Sequence, residues 1–232
     1  MTPTVTFARE QLRAPFTLAL LVAVPFLFVV SAAGVLSDFA SALGGSLAGD
    51  AAAALSAGWA AAFICGALGY FQAASSRGAD RRLALAGLGS ARVAAARILA
   101  SVTLAVVATA AAFAALVLRV DVAHPAHTAV AVLGFAVLYL AVGVLIGSIV
   151  GSPLEGSLLV VFVFLLDTFA GPGMTGGSPP PWAISRKAAD ILIAAGTGTG
   201  SPGGDWVAVA LITVGAVAAA FLAFVLSARS RA

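Results

Sequence analysis

Charged side chains are scarce in this chain. Its 232 residues carry only 9% charged residues, against roughly 25% in a soluble domain. The net charge of +3 is too small to point to nucleic acid. Lysine occurs once, as Lys187 between Arg186 and Ala188. A phosphate-cradling loop needs Gly-Lys-Ser/Thr, so that motif is excluded. Cysteine also occurs once, as Cys65 inside an apolar stretch. It forms no intrachain disulfide and reads as a small buried hydrophobe. The two histidines, His124 and His127, share one short loop near Asp121. A zinc site needs three or four ligands in a fixed geometry, so these residues read as a polar turn around Pro125, with no metal. No His-Glu-x-x-His is present, and no catalytic constellation stands out.

What is abundant is apolar: 62% of the residues are hydrophobic. The few charges divide the chain into long uncharged stretches. These lie between Arg13 and Asp38, Asp50 and Arg77, Arg97 and Arg119, Asp121 and Glu155, and Asp205 and Arg229. A helix needs about 20 apolar residues to cross a hydrocarbon core of about 30 Å. Each stretch meets that length. The expected fold is an all-α polytopic membrane protein, with one transmembrane domain over 1–232 and no room for a sizeable soluble domain.

Six crossings are expected, at about 15–36, 51–74, 98–118, 128–151, 153–170 and 206–227. Pro15 suits the first turn of the first helix, and Pro25 should kink it. The small residues Ser31 to Gly34 resemble a leader cleavage site. The apolar run nevertheless continues through Val35 and Leu36, as in a retained helix. Before it, Val5 to Leu12 reads as a short interfacial helix. The fifth crossing is short: Leu158 to Leu166 is intensely apolar, then Asp167 and a Gly/Pro-rich stretch follow. Beyond it, Ile184, Ala188, Ile191 and Ala195 share one face, and Arg186, Lys187 and Asp190 another. That pattern predicts an amphipathic or re-entrant hairpin in the interface between helices 5 and 6, with Trp182 at headgroup level.

Basic residues set the expected orientation. With a cytoplasmic N-terminus, the inner side receives Arg9, Arg13, Arg77, Arg81, Arg82, Arg92, Arg97, Arg229 and Arg231. The outer side receives Arg119, Arg186 and Lys187. That satisfies the positive-inside rule, with both termini cytoplasmic.

The 2–3 loop is the most polar segment, Ser75 through Arg82. Asp80 is placed to cap a short helix bearing Leu83, Leu85 and Leu88, stopped by Gly87 and Gly89. Ser90 is placed to cap the next crossing. The loop reads either as a solvated basic turn or as a docking helix for a cytoplasmic partner. Gly143, Gly147 and Gly151 recur every four positions, which suits a close helix–helix contact. Ala62 and Gly66 offer a matching groove, and the spacing leaves open whether the contact is within or between subunits. Glu155 suits the positive end of the fifth helix. Asp167 either marks the outer end of that helix or makes a polar contact. At the membrane centre an Asp costs about 2.5–3.5 kcal/mol.

The order of these elements resembles the membrane subunit of an ABC-2 type exporter. Six crossings, an N-terminal interfacial helix and the polar 2–3 loop carry the resemblance over essentially the whole chain. Asp167-Thr168-Phe169-Ala170-Gly171, with Pro181-Trp182 beyond, is similar to the family's turn after the fifth helix. Two departures stand out. Asp167 and Thr168 occupy the neighbourhood where the family usually has a Pro. Gly196-Thr197-Gly198-Thr199-Gly200 replaces its Pro-rich aromatic stretch.

The resemblance implies a permease without enzymatic activity of its own, in a prokaryotic cell membrane. Its partners would be a cytoplasmic ATPase subunit, which binds ATP and Mg²⁺, a second permease copy or paralogue, and membrane lipid. It implies that Arg77, Asp80, Arg81, Arg82, Leu83, Leu85 and Leu88 couple to the ATPase. Phe162, Phe164 and Asp167 are candidates for the substrate path. The apolar lining favours a hydrophobic or amphipathic cargo. Two rivals remain: a substrate-binding component of an energy-coupling importer, and a non-transporting accessory or immunity protein.

Overall fold

The computed structural model describes residues 15–150, 152–178, 180, 183–199 and 205–229. Only the backbone is described for 15–17, Arg81, Ala84, Leu85 and 228–229. The expected N-terminal interfacial helix, Gly151, Pro181 and Trp182 lie outside the described residues.

Seven α-helices account for nearly all of the described chain: α1 (Pro15–Ala42), α2 (Gly49–Leu83), α3 (Ser90–Val117), α4 (Pro125–Ile149), α5 (Pro153–Phe169), α6 (Arg186–Thr197) and α7 (Asp205–Arg229). No strand occurs among the described residues, only an isolated bridge between Gly44 and Thr175. This is the secondary structure that lipid demands of uncharged chain, because a helix satisfies its own backbone polar groups. Five helices, α1 to α4 and α7, are long and apolar enough to cross a membrane. The protein is an all-helical, multi-pass membrane protein.

The helices are longer than the apolar runs that announce them. The second crossing, expected to end at 74, continues to Leu83, and the third begins at Ser90 rather than 98. Asp80 is therefore inside α2 and does not cap a separate helix. A wide turn, Ala84–Leu88, follows α2, and Gly87 (φ 101°) and Gly89 (φ 74°) end it in backbone conformations that side chains disfavour. Gly89, not Ser90, occupies the cap of α3. Pro25 lies within a helix that runs on to Ala42.

α2 is the axis of the bundle, packed against α1, α3, α4, α5 and α6. Over its apolar window 72% is buried, against 22% for α1 and α7, which therefore form the rim. α2 and α4 meet backbone to backbone. A Cβ at Gly143 would fall 2.0 Å from the Gly66 carbonyl oxygen, and one at Gly147 would fall 2.6 Å from that of Tyr70. The small-residue spacing of α4 thus serves a contact within the chain, and Gly66 supplies part of the facing groove.

α5 begins where Ser152 caps it, accepting from the Glu155 N–H at 3.4 Å, with Pro153 in the first turn. Its start abuts Tyr70, whose hydroxyl donates to the Ser152 and Pro153 carbonyls at 3.2 and 2.9 Å. Its far end turns through Gly171 to Met174 against the α1–α2 loop. There the Ser46 and Leu47 N–H groups both donate to Gly173 O at 2.9 Å. α5 therefore runs from one end of the bundle to the other beside α2. Its 17 residues reach about 25 Å.

α6 has the expected amphipathic pattern, but its apolar face is not laid on lipid. Ala188, Ile191, Leu192 and Ala195 are buried. A Cβ at Gly58 of α2 would meet Leu192 at 2.6 Å and Phe135 of α4 at 3.0 Å. Protein takes the place of the interface because α2 carries small residues there, Ala54 and Gly58. The Ala123 and His124 N–H groups bond the carbonyls of Gly196 and Ala195 at 3.1 and 3.0 Å, closing this end of the bundle.

Candidate functional site

A polar strip joins α2 and α3 at the end of the bundle opposite α6. Asp80, 2% exposed, accepts from Arg97 Nε at 2.9 Å and Nη2 at 2.8 Å on one oxygen, and from Ser76 Oγ at 2.6 Å on the other. One helical turn deeper, Ser101 donates to Gln72. Every pair spans α2 and α3 or lies one turn along α2, so the strip clamps these two helices together.

Arg77, one turn before Asp80, reaches α4. Its Nε donates to Gly147 O at 3.0 Å, and its Nη2 donates to the carbonyls of Gly147 and Val150. The last carbonyls of a helix lack intrahelical donors and carry negative partial charge. Arg77 satisfies them at the end of α4.

The structure thus separates the coupling candidates. Arg77 and Asp80 are spent on internal contacts, and Leu83 packs against Ala96 and Ala100. Arg82 is exposed, and Leu88 is half-buried in the turn. The side chains of Arg81 and Leu85 lie outside the described residues. The segment is therefore an elbow between two helices, tied to the bundle by Arg77 and Asp80 and exposed at Arg82, Ala86 and Gly87.

The path candidates do not share a lining. Phe162 is 58% exposed on the rim. Phe164 is buried, its ring centroid 5.2 Å from Phe63 and 5.9 Å from Tyr139. Asp167, 3% exposed, lies near Phe164 at the α6 end. It accepts from Tyr139 OH at 2.5 Å, and the Ser185 N–H lies 3.2 Å from both of its oxygens. Asp167 thereby ties α5 and α4 to the start of α6. Tyr139 and Ser185 carry no sequence signal for this role, because their partner is distant in sequence.

Lys187 meets Asp205 at 2.7 Å, a partly exposed pair between α6 and α7. Beside it, burial pushes the Asp190 carboxyl above its ordinary value, Lys187 pulls it down, Asp205 pushes it up and Arg186 pulls it down. His124 and His127 stand edge to face, centroids 6.0 Å apart. No cluster of three metal-ligating side chains occurs among the described residues.

No protein-family model matches this sequence, and no curated protein matches it.

Proposed function

We propose that the chain is the membrane-spanning permease subunit of an ABC-2 type exporter. It would move a hydrophobic or amphipathic substrate with ATP hydrolysed by a separate cytoplasmic subunit. The observation that carries this reading is the α2–α3 elbow. α2 has 35 residues, about 52 Å of helix, so about 20 Å extends beyond a hydrocarbon core of about 30 Å. The Asp80–Arg97 pair and Arg77 lock that extension to α3 and α4. A push on the elbow is then delivered to three helices together, as rigid-body motion requires.

The course of α5 supports a sixth crossing, which puts both chain ends on one side. The basic residues Arg77, Arg82, Arg92 and Arg97 gather at the elbow and favour a cytoplasmic location for it in a prokaryotic cell membrane. In this reading Arg82 and Leu88 contact the ATPase, while Arg77 and Asp80 keep the elbow stiff. A second copy or a paralogue would complete the translocation path.

The test is affinity purification of the solubilised chain from its native membrane, followed by mass spectrometry. A stoichiometric P-loop ATPase is expected, with recovery reduced at least tenfold by Leu88→Asp while membrane insertion persists. Recovery of the chain alone, under conditions that preserve other membrane complexes, would overturn the reading.

A further inference from the structure

At the end of the bundle remote from the elbow, a cleft of about 310 Å³ opens between α1, the start of α2 and the segment after α3. Its lining includes Gly34, Ser37, Asp38, Asp50, Ala53 and Arg119. Asp38, Asp50 and Arg119 are exposed. Although they line one cleft, neither carboxylate comes within 4.0 Å of the guanidinium. The two ion pairs among the described residues lie elsewhere. Arg119 is held instead by α1: its Nη1 donates to Val29 O at 3.1 Å and to Val30 O. That anchoring uses one nitrogen, and the other two have no protein partner among the described residues.

A fixed guanidinium and two unpaired carboxylates at the rim of one cavity form a receptor for opposite charges on one small molecule. We propose that this cleft binds a zwitterion bearing a phosphate and a primary ammonium, the phosphoethanolamine group. Arg119 would take the phosphate through a charge-assisted, forked contact. Asp38 and Asp50 would accept from the ammonium.

The cleft sits where α1 and α3 end and α2 begins, which is headgroup level for helices that cross a bilayer. Below it α1 exposes Leu27, Val30 and Val35, an apolar surface for acyl chains. The lipid source is therefore phosphatidylethanolamine, and the soluble source is a free phosphoethanolamine ester. This inference is independent of the transport reading, because it uses only the cleft and its charges.

The full chain is purified in mixed micelles of phosphatidylethanolamine, phosphatidylcholine and phosphatidylglycerol. Lipids retained through size-exclusion chromatography are quantified by mass spectrometry, and binding of O-phosphoethanolamine is measured by calorimetry. Enrichment of phosphatidylethanolamine over phosphatidylglycerol of about tenfold is expected, the size of one charged hydrogen bond. It should vanish in the Asp38→Asn/Asp50→Asn variant, whose changes sit on exposed side chains and spare the packing. Binding of O-phosphoethanolamine with the same dependence on the two aspartates supports the site and assigns the soluble source. Binding of the lipid alone assigns the lipid source. Equal retention of the three lipids without O-phosphoethanolamine binding, or a preference unchanged in the double variant, overturns the proposal.

Discussion

The residue that most constrains this bundle is Asp80. Its carboxylate is buried, and its charge is met by Arg97 from another helix. Removing one partner of a buried pair leaves the other uncompensated, at a cost of about 3–5 kcal/mol. Arg97→Leu should therefore destabilise the protein by about 3 kcal/mol or more, read as an earlier midpoint in chemical unfolding from detergent. An unchanged midpoint would mean that water already reaches the pair. Asp190 behaves in the opposite sense. Burial raises its carboxyl above the unfolded value, so its contribution is present in acid and is lost as pH rises through the raised value. Asp190→Asn should gain stability relative to the parent as pH rises from about 4 to 7. Thermal midpoints at both ends of that range decide it. Sequence exposed the identity of such residues but not their partners. Asp80 is an ordinary helix-cap candidate when read locally, and only the approach of α3 turns it into half of an ion pair.

At the scale of elements, the α2–α4 contact sets the tightest tolerance. Gly143→Ala would bring a methyl group to 2.0 Å from the Gly66 carbonyl oxygen, and relieving it requires the helix backbones to part. Overpacking of this kind costs about 1–3 kcal/mol. Gly215→Ala on α7 meets nothing within 4 Å, so it should leave stability unchanged or slightly raised. Helix propensity favours Ala at both positions, so equal losses would show that the α2–α4 contact is not what makes Gly143→Ala costly. Apolar runs located every long helix because hydropathy reports which solvent surrounds a segment. They misplace the ends of α2 and α3 because Arg77, Asp80 and Arg97 are charged yet helical. Asp80 and Arg97 satisfy each other and Arg77 the carbonyls at the end of α4, so the helices outlast their apolar stretches. Periodicity likewise found the buried face of α6 but not what covers it, since α2 and lipid demand the same residues.

At the scale of the whole molecule, the two ends differ. One end gathers the α1–α2 loop, α6 and the His124 turn, and the other the elbow and the α4–α5 corner. With Cys65 replaced by Ala, single cysteines at Ser46 or Thr199 should label from outside intact cells, and one at Ala86 only after permeabilisation. All three positions are exposed. Labelling of Ala86→Cys from outside would reverse the orientation. The architecture was legible because charge is so sparse. Less of the elbow was legible: Arg77 and Asp80 are consumed in building it while Arg82 is exposed and Leu88 half-buried, and a local reading of charge cannot separate the two kinds.

The seat of α5 also bears on how the protein is made. At 17 residues this helix is shorter than the five helices long enough to cross a membrane, and it ends in a buried Asp, so contacts with the bundle must hold it. Tyr70, Arg77 and Tyr139, which fix its corner and bind its carboxylate, precede it in the chain, and only the Ser185 N–H among the carboxylate's partners follows it. When α5 leaves the ribosome, most of its berth has already been synthesised. Biogenesis should then depend on order: a circular permutant that delivers α5 first would strand it, while the same helices in native order assemble.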